Sequence, residues 1–418
     1  MMNPKAQSML HYVLTLPIEA YVILAFSVSY LFFFVRPVFF NSCHVMQFIE
    51  SVPAINPIGV DLKQTLDYSE AWAIRGSTPY IGTNTYPPAA SVLFAPLLFL
   101  DFFTAYRILT LITLLCFASS TLLFPLWIRK ERNLSSLLVL IFITGVFSYG
   151  FQFELERGQF NVIAFFLCLL AVYIYHYHHK WRYVAYLLFS ISIQLKLFPA
   201  IFIIMFVRDW RDWKGNLKRI LAISASNCAA LFVLGLPVFT DFVNAVRERS
   251  VNPYVWRGNH SIKSFVTLVA TQASGTLKMS SLAWVNEYRW LAEVGLLSFV
   301  GICLLLIILR AYQQNTAELN PFLLMACTIG ALLIPSVSHD YKLSMLPASL
   351  AIALRDGSSS SGSKTRRLSS IGLVSMVSLA YSSTLFSYMN KPLYLANNLP
   401  ALVVILLAVT ALYFTSES

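Results

Sequence analysis

Apolar runs long enough to cross a lipid bilayer recur from one end of this chain to the other. A crossing helix needs about 20 predominantly apolar residues. Inside hydrocarbon every backbone N–H and C=O must be paired within the protein, which restricts spanning structures to helices and closed barrels. The runs here are continuous rather than alternating, so they read as helices. Twelve are read along the sequence, at 17–35, 88–100, 108–128, 137–149, 162–175, 183–207, 220–238, 290–310, 322–334, 343–354, 371–385 and 399–414. Composition agrees: 57% of the residues are hydrophobic and 12% charged, with a mean hydropathy of +0.67, where a soluble domain carries about 25% charge. A soluble globular protein, a disordered chain and a nucleic-acid binder with a conventional basic surface are excluded. The expectation is a single all-α polytopic membrane domain over residues 1–418.

The formal net charge of +11 is mostly the Lys and Arg excess that cytoplasmic loops carry. Placing the basic segments 208–219 and 355–367 inside puts the N-terminus inside. A first polar loop (41–87), a second (240–289, most polar over 240–263) and the segment 339–342 then fall outside. The Ser/Gly-rich stretch 355–367 reads as a flexible basic loop. The basic clusters at 129–132 and 178–182 join the inner side only if 183–207 is a hairpin with Lys196 and Pro199 at its tip and 88–100 is re-entrant or one of three short crossings. The histidine-rich HYHHK at 176–180 reads as a solvated helix end. Cys43 alone among six cysteines lies in a polar loop, so no outer disulfide framework is expected. The first apolar run lacks a small-residue cleavage site and reads as an uncleaved helix.

Chemistry-bearing residues gather in the outer segments. Asp61 and Asp67 lie in the first outer loop, whose segment LDYSEAWAIRG reads as a short surface helix closed by Gly76 and a turn. Lys196 is an intramembrane charge, costing on the order of 3 kcal/mol at a helix centre, and so marks function or a pairing with Glu154 or Glu156. Gln159 and Asn161 stand at a helix start, as cap or as sugar contact. The second loop groups Tyr254, Trp256, Arg257, Asn259, His260 and Lys263, which suits either phosphate binding or lipid headgroups. His339 sits beside Asp340 and Lys342 at the outer end of a span. Neither an Asp-x-Asp motif nor a His/Cys set at metal-ligand spacing is present, so neither a metal nor another cofactor is expected.

These segments, in order, resemble glycosyltransferase family 87. The resemblance covers most of the chain and rests on several elements. They are the acidic first outer loop with Gly76, Pro79-Tyr80 and Tyr86-Pro87-Pro88, then RGQFN at 157–161, QLKLFPA around Lys196 and Pro199, and the tryptophan-bearing basic loop. NHS at 259–261 and PSVSHDYKL at 335–343 complete it. The resemblance implies a GT-C-type fold and an inverting transfer of a hexose, mannose foremost, from a polyprenyl-phosphate donor to a glycolipid or polysaccharide acceptor. It also implies a multi-pass protein of the plasma (inner) membrane with its site on the periplasmic or extracellular face, among membrane lipids, working as a monomer. Asp61 best matches the family's catalytic carboxylate, with Asp67 as the alternative. Arg257, Lys196 and His260 would hold the phosphate and His339 would assist the base or the acceptor. Asn259, Gln159, Asn161, Tyr80 and Lys342 would line the substrate. The chemistry is consistent with this set: a phosphate leaving group needs no strong general acid, only a base for the acceptor hydroxyl and cations for the leaving phosphate. A transporter or flippase, and a polymerase or ligase of lipid-linked glycans, are the competing classes. No internal repeat favours the first, and the early position of the acidic loop disfavours the second.

Overall fold

The computed structural model describes residues 15–31, 58–130, 133–256, 258–276, 287–354, 364–382 and 397–415. Cys43, Arg257 and most of the basic loop 355–367 lie outside the described residues. Among these residues the chain is helical and forms no strand. The paired extended backbone it does contain is an isolated antiparallel bridge between Asn259 and His339.

Two helices are long and apolar enough to cross a membrane, Phe102–Arg129 and Arg289–Gln314. The pair Ser136–Val146 and Tyr149–Arg157, bent by 50°, makes a third if taken as one span. The count of twelve full-length spans is therefore not what the structure displays. Apolar segments such as Asn161–Tyr177, Pro321–Leu333 and Leu399–Thr415 are helices of 10–17 residues, about 15–26 Å long against a hydrocarbon core of about 30 Å. The causes are local. The expected span 220–238 breaks after helix Trp213–Ala230 at Gly235 (φ +92°) and Pro237, where a new helix, Leu236–Val251, begins. That helix occupies much of the expected loop 240–263, and Ile262–Thr276 is helical again, leaving only 252–261 between them.

The elements share two ends. Tyr106, in the first turns of Phe102–Arg129, packs on Gly59 and donates to the Leu155 carbonyl (2.8 Å). At the other end of that helix Arg129 reaches the carbonyls of Ala351 and Leu354. The chain then returns through Ser136–Arg157, runs out along Asn161–Tyr177, and comes back along Arg182–Leu195. At Lys196 it reverses into the 3-10 helix Phe198–Phe206, whose last residue packs on Tyr175, Tyr186 and Phe189. The stretch 183–207 is thus a hairpin with Lys196 at its tip. The segments Pro88–Phe94 and Ala95–Phe99 leave from Tyr86 and return beside Phe102, at the same end as that tip. The basic clusters at 129–130, 178–182 and 208–219 accordingly fall at the opposite end, with Arg208 Nη1 3.2 Å from His179 Nδ1. His176 departs from the solvated reading: it is buried, bonded to the carbonyls of Met205 (2.8 Å) and Ala317 (3.1 Å), because the 3-10 return strand covers it.

The interior is built on Pro321–Leu333, buried without interruption from Leu323 to Leu333. A helix apolar on all sides belongs in a core rather than at its edge. Phe165, Phe189, Phe202 and Phe206 fill the space beside it.

Candidate functional site

Helix Val60–Ala73 starts six residues before the surface helix read from LDYSEAWAIRG. Gly59 begins it in the left-handed region (φ +73°), and Asp61 stands in its first turn, where a carboxylate complements the helix dipole. This N-terminus is seated on the RGQFN turn. The Gly59 N–H donates to the Glu156 carbonyl at 2.7 Å. Gly158 (φ +63°) approaches so closely that a Cβ there would lie 2.9 Å from Leu62 Cβ and 3.3 Å from Gly59 Cα. Gly158→Ala therefore meets both a forbidden φ and a clash, at a cost of roughly 1–3 kcal/mol. A lowered thermal unfolding midpoint together with weakened transfer is the expected outcome, since the turn carries the residues that hold Asp61.

The contact brings Asp61 to two of those residues. Arg157 Nη2 lies 3.3 Å from Asp61 Oδ1, and Gln159 Nε2 donates to Asp61 Oδ2. Gln159 Oε1 in turn accepts from Lys196 Nζ at 2.7 Å. The ammonium is held between two aromatic faces, 4.1 Å from the Tyr86 centroid and 4.2 Å from that of Phe160, an arrangement that compensates a cation for lost water. The suggested pairing of Lys196 with Glu154 or Glu156 is thus indirect. Glu154 uses its oxygens on Asn161 Nδ2 (2.9 Å) and the Val162 N–H (3.0 Å), capping helix Asn161–Tyr177, and its charge reaches Lys196 without a direct bond. Asn161 is fully buried and also approaches Gln159 Oε1 (3.4 Å), so it positions Gln159 from behind. Tyr80 donates to the Tyr86 carbonyl (2.8 Å) and fixes the loop that presents Tyr86. Burial pushes the Tyr86 phenol well above its usual range, so it stays protonated.

Asp61 keeps 12% of its side chain exposed and Arg157 36%, so the pair is open to a substrate. Asp67 is elsewhere: six residues on, it is about 240° around the helix from Asp61, and its carbonyl accepts from the exposed Arg75.

The second group packs against the first. Trp256 Nε1 donates to His339 Nδ1 at 2.9 Å, which places the ring proton on Nε2. Tyr254, Trp256 and Tyr341 wall the imidazole. Burial first, then the charges of Lys342, His260, Arg157 and Lys196, push His339 down to about 3. It is therefore neutral at working pH and serves as a hydrogen-bonding group. An unfolded chain binds a proton on this histidine near its ordinary pKa of about 6.5 while the folded protein does not. Stability is thus full above about pH 6.5 and falls as pH drops towards the folded value. Thermal unfolding midpoints measured at pH 7.5 and 5.5 should fall further in the wild type than in His339→Gln.

His260 and Asn259 are corrected by their burial. His260 is fully buried, with Nε2 2.7 Å from Asp340 Oδ1 and Nδ1 facing the Asn398 N–H at 3.3 Å. No part of it is free to meet a phosphate. Asn259, equally buried, accepts from the Ser338 and Ser261 N–H groups and donates to the carbonyls of Tyr254 and Ser336. Lys342 is nearly buried and donates to the Val337 carbonyl (2.7 Å). His260 and Asn259 join the second outer loop to the PSVSHDYKL segment, Lys342 braces that segment from within, and together they position His339. Arg257 lies outside the described residues, while Arg157, passed over in sequence as part of RGQFN, takes the cationic place beside the carboxylate. Among the described residues no group of three or more His, Cys, Asp or Glu is gathered as a metal site.

An apolar helical chain with a carboxylate, an arginine and a desolvated lysine converging at one end is a membrane protein equipped for charge-stabilised transfer. The profile of glycosyltransferase family 87 matches residues 84–336, more than half of the sequence. The chain belongs to glycosyltransferase family 87, a family of membrane glycosyltransferases. No match was found among curated proteins or among solved structures. The matched segment holds Tyr86, Arg157, Gln159, Lys196 and the 259–261 motif but stops short of both Asp61 and His339. Those two residues are tied to it by the hydrogen bonds and ion pair described above.

Proposed function

We propose that this glycosyltransferase is of the GT-C type and moves a hexose, mannose foremost, from a polyprenyl-phosphate donor to a glycolipid or polysaccharide acceptor with inversion at the anomeric carbon. The observation that carries the reading is the Asp61–Arg157–Gln159–Lys196 cluster: one partly exposed carboxylate paired with an arginine and linked through Gln159 to a lysine. In the step, the acceptor oxygen attacks the anomeric carbon from the face opposite the phosphate. Its proton passes to Asp61 Oδ, and the C–O bond to phosphorus breaks, leaving polyprenyl phosphate with one added negative charge. Arg157, oriented by Asp61, and the buried Lys196 stabilise that charge. Gln159 holds base and lysine at a fixed separation, and neutral His339 donates from Nε2 to sugar or acceptor. The reading extends to about twelve membrane crossings, some of them broken, a monomer in the plasma (inner) membrane, and a site on the periplasmic or extracellular face. The gathering of the basic clusters at the far end supports that orientation.

The test supplies purified protein in nanodiscs with radiolabelled polyprenyl-phosphate-mannose and a lipid extract of the native membrane. Label should pass to an acceptor from this donor and not from a nucleotide-linked mannose. Transfer from the nucleotide sugar alone would overturn the donor assignment.

A further inference from the structure

The end of the bundle remote from Asp61 carries a cavity of about 500 Å³, in the size range of small-molecule sites. Its wall is built by the end of helix Asn161–Tyr177 near Tyr175, by the start of helix Arg182–Leu195, by the basic segment after Phe206, and by the turn at Asn315 and Ala317. Three arginines line it: Arg182, Arg208 and Arg219. None of them makes an ion pair with a carboxylate among the described residues. Arg219 is aimed by its bonds to the Phe206 carbonyl (3.1 Å) and Asn216 Oδ1 (2.7 Å), with its guanidinium over the Tyr175 ring. Arg208 is steadied by His179.

The two acids in the wall do not answer these cations. Asp209 Oδ1 accepts from the Arg211 N–H (2.9 Å), and Asp212 Oδ1 caps helix Trp213–Ala230 through the Gly215 N–H (3.0 Å). Three guanidiniums against two carboxylates leave the wall with a small positive excess, and because the carboxylates are turned to backbone amides the planar-fork donors remain available to an oxyanion. The tyrosines Tyr175 and Tyr186 add flat walls for whatever the anion carries.

We propose that this cavity binds a phosphate group, borne on an anionic lipid head or free in solution, at a site separate from the transfer site. Asn161 and Tyr175 mark the two ends of the same helix, about 21 Å apart. The anion site therefore does not share the donor's pocket.

Native mass spectrometry of the full purified chain tests the proposal with two probes, phosphatidylglycerol and inorganic pyrophosphate, against phosphatidylcholine as reference. Wild type should hold at least one probe at a discrete stoichiometry. Arg182→Gln with Arg208→Gln should weaken it by about tenfold for each arginine removed, and Lys214→Gln, which does not line the cavity, should leave it unchanged. Ala317→Glu keeps every arginine and places a carboxylate in the cavity, so it should abolish binding even if the double variant fails to fold. Retention of phosphatidylglycerol alone assigns the phosphate to a lipid head, and of pyrophosphate alone to a soluble ligand. Binding of neither probe, binding that survives Ala317→Glu, or equal loss in Lys214→Gln would overturn the proposal.

Discussion

Asp61→Asn should lower the transfer rate by about 10²- to 10⁴-fold, the usual contribution of a positioned general base, while donor binding stays within a few-fold of wild type. The substitution is nearly isosteric. Its amide oxygen can still accept from Gln159 or Arg157, so the cluster's geometry is largely kept, but the proton acceptor is gone. Separate measurement of single-turnover transfer and of donor retention distinguishes this from loss of a phosphate ligand, which would weaken the donor itself. Asp67→Asn is the internal control. Asp67 lies around the helix from the cluster and makes no contact with Arg157, Gln159 or Lys196, so the variant should transfer at the wild-type rate. Reversal of the two results would transfer the base to Asp67 and leave the Asp61 cluster without its proposed role.

The second large effect concerns stability. Asp340→Ala should destabilise the protein by about 3 kcal/mol or more, as breaking a buried pair typically does. The carboxylate is fully buried; one oxygen meets His260 Nε2 at 2.7 Å and the other lies 3.4 Å from the Tyr149 hydroxyl. Gly258 is fitted so tightly beside it that a Cβ there would come within 2.3 Å of Asp340 Oδ2. Removing the acid takes the buried His260 Nε2 from its partner and opens a void at the joint that carries His339. Thermal unfolding in detergent should show a midpoint lower by several degrees. Replacing both partners, His260→Phe with Asp340→Leu, should cost less than the sum of the singles, because the carboxylate and the imidazole nitrogen that face each other are removed together. An unchanged midpoint in Asp340→Ala would contradict the buried-pair reading.

Much of this was legible in the chain itself. Continuous apolar runs point to an all-helical membrane protein, and of the two arrangements the basic clusters left open the structure has the one that reverses at Lys196. Asp61 stood out through its place in the long first outer loop, where the resemblance sets a catalytic carboxylate; that it opens a helix is visible only in the structure. What escaped was pairing across distance. Arg157 reads locally as the last turn of a helix before a glycine, and only folding places it beside an acid near the other end of the site. His260 and Asn259, set among Trp, Tyr and Arg, have the composition of a phosphate-binding surface. Their partners are about eighty residues away in sequence, and those partners decide that both are buried. The breaks within the apolar stretches also escaped: among the described residues Gly235, Pro237 and the 3-10 segments divide them into pieces shorter than a bilayer.

The most direct test of the site is an experimental structure of the full chain with polyprenyl-phosphate-mannose bound. The expected result sets the donor phosphate within hydrogen-bonding distance of Arg157 or Lys196 and the anomeric carbon in the space before Asp61, with His339 at the sugar or acceptor side. A donor phosphate lodged away from both cations, with Asp61 facing no sugar, would contradict the assignment.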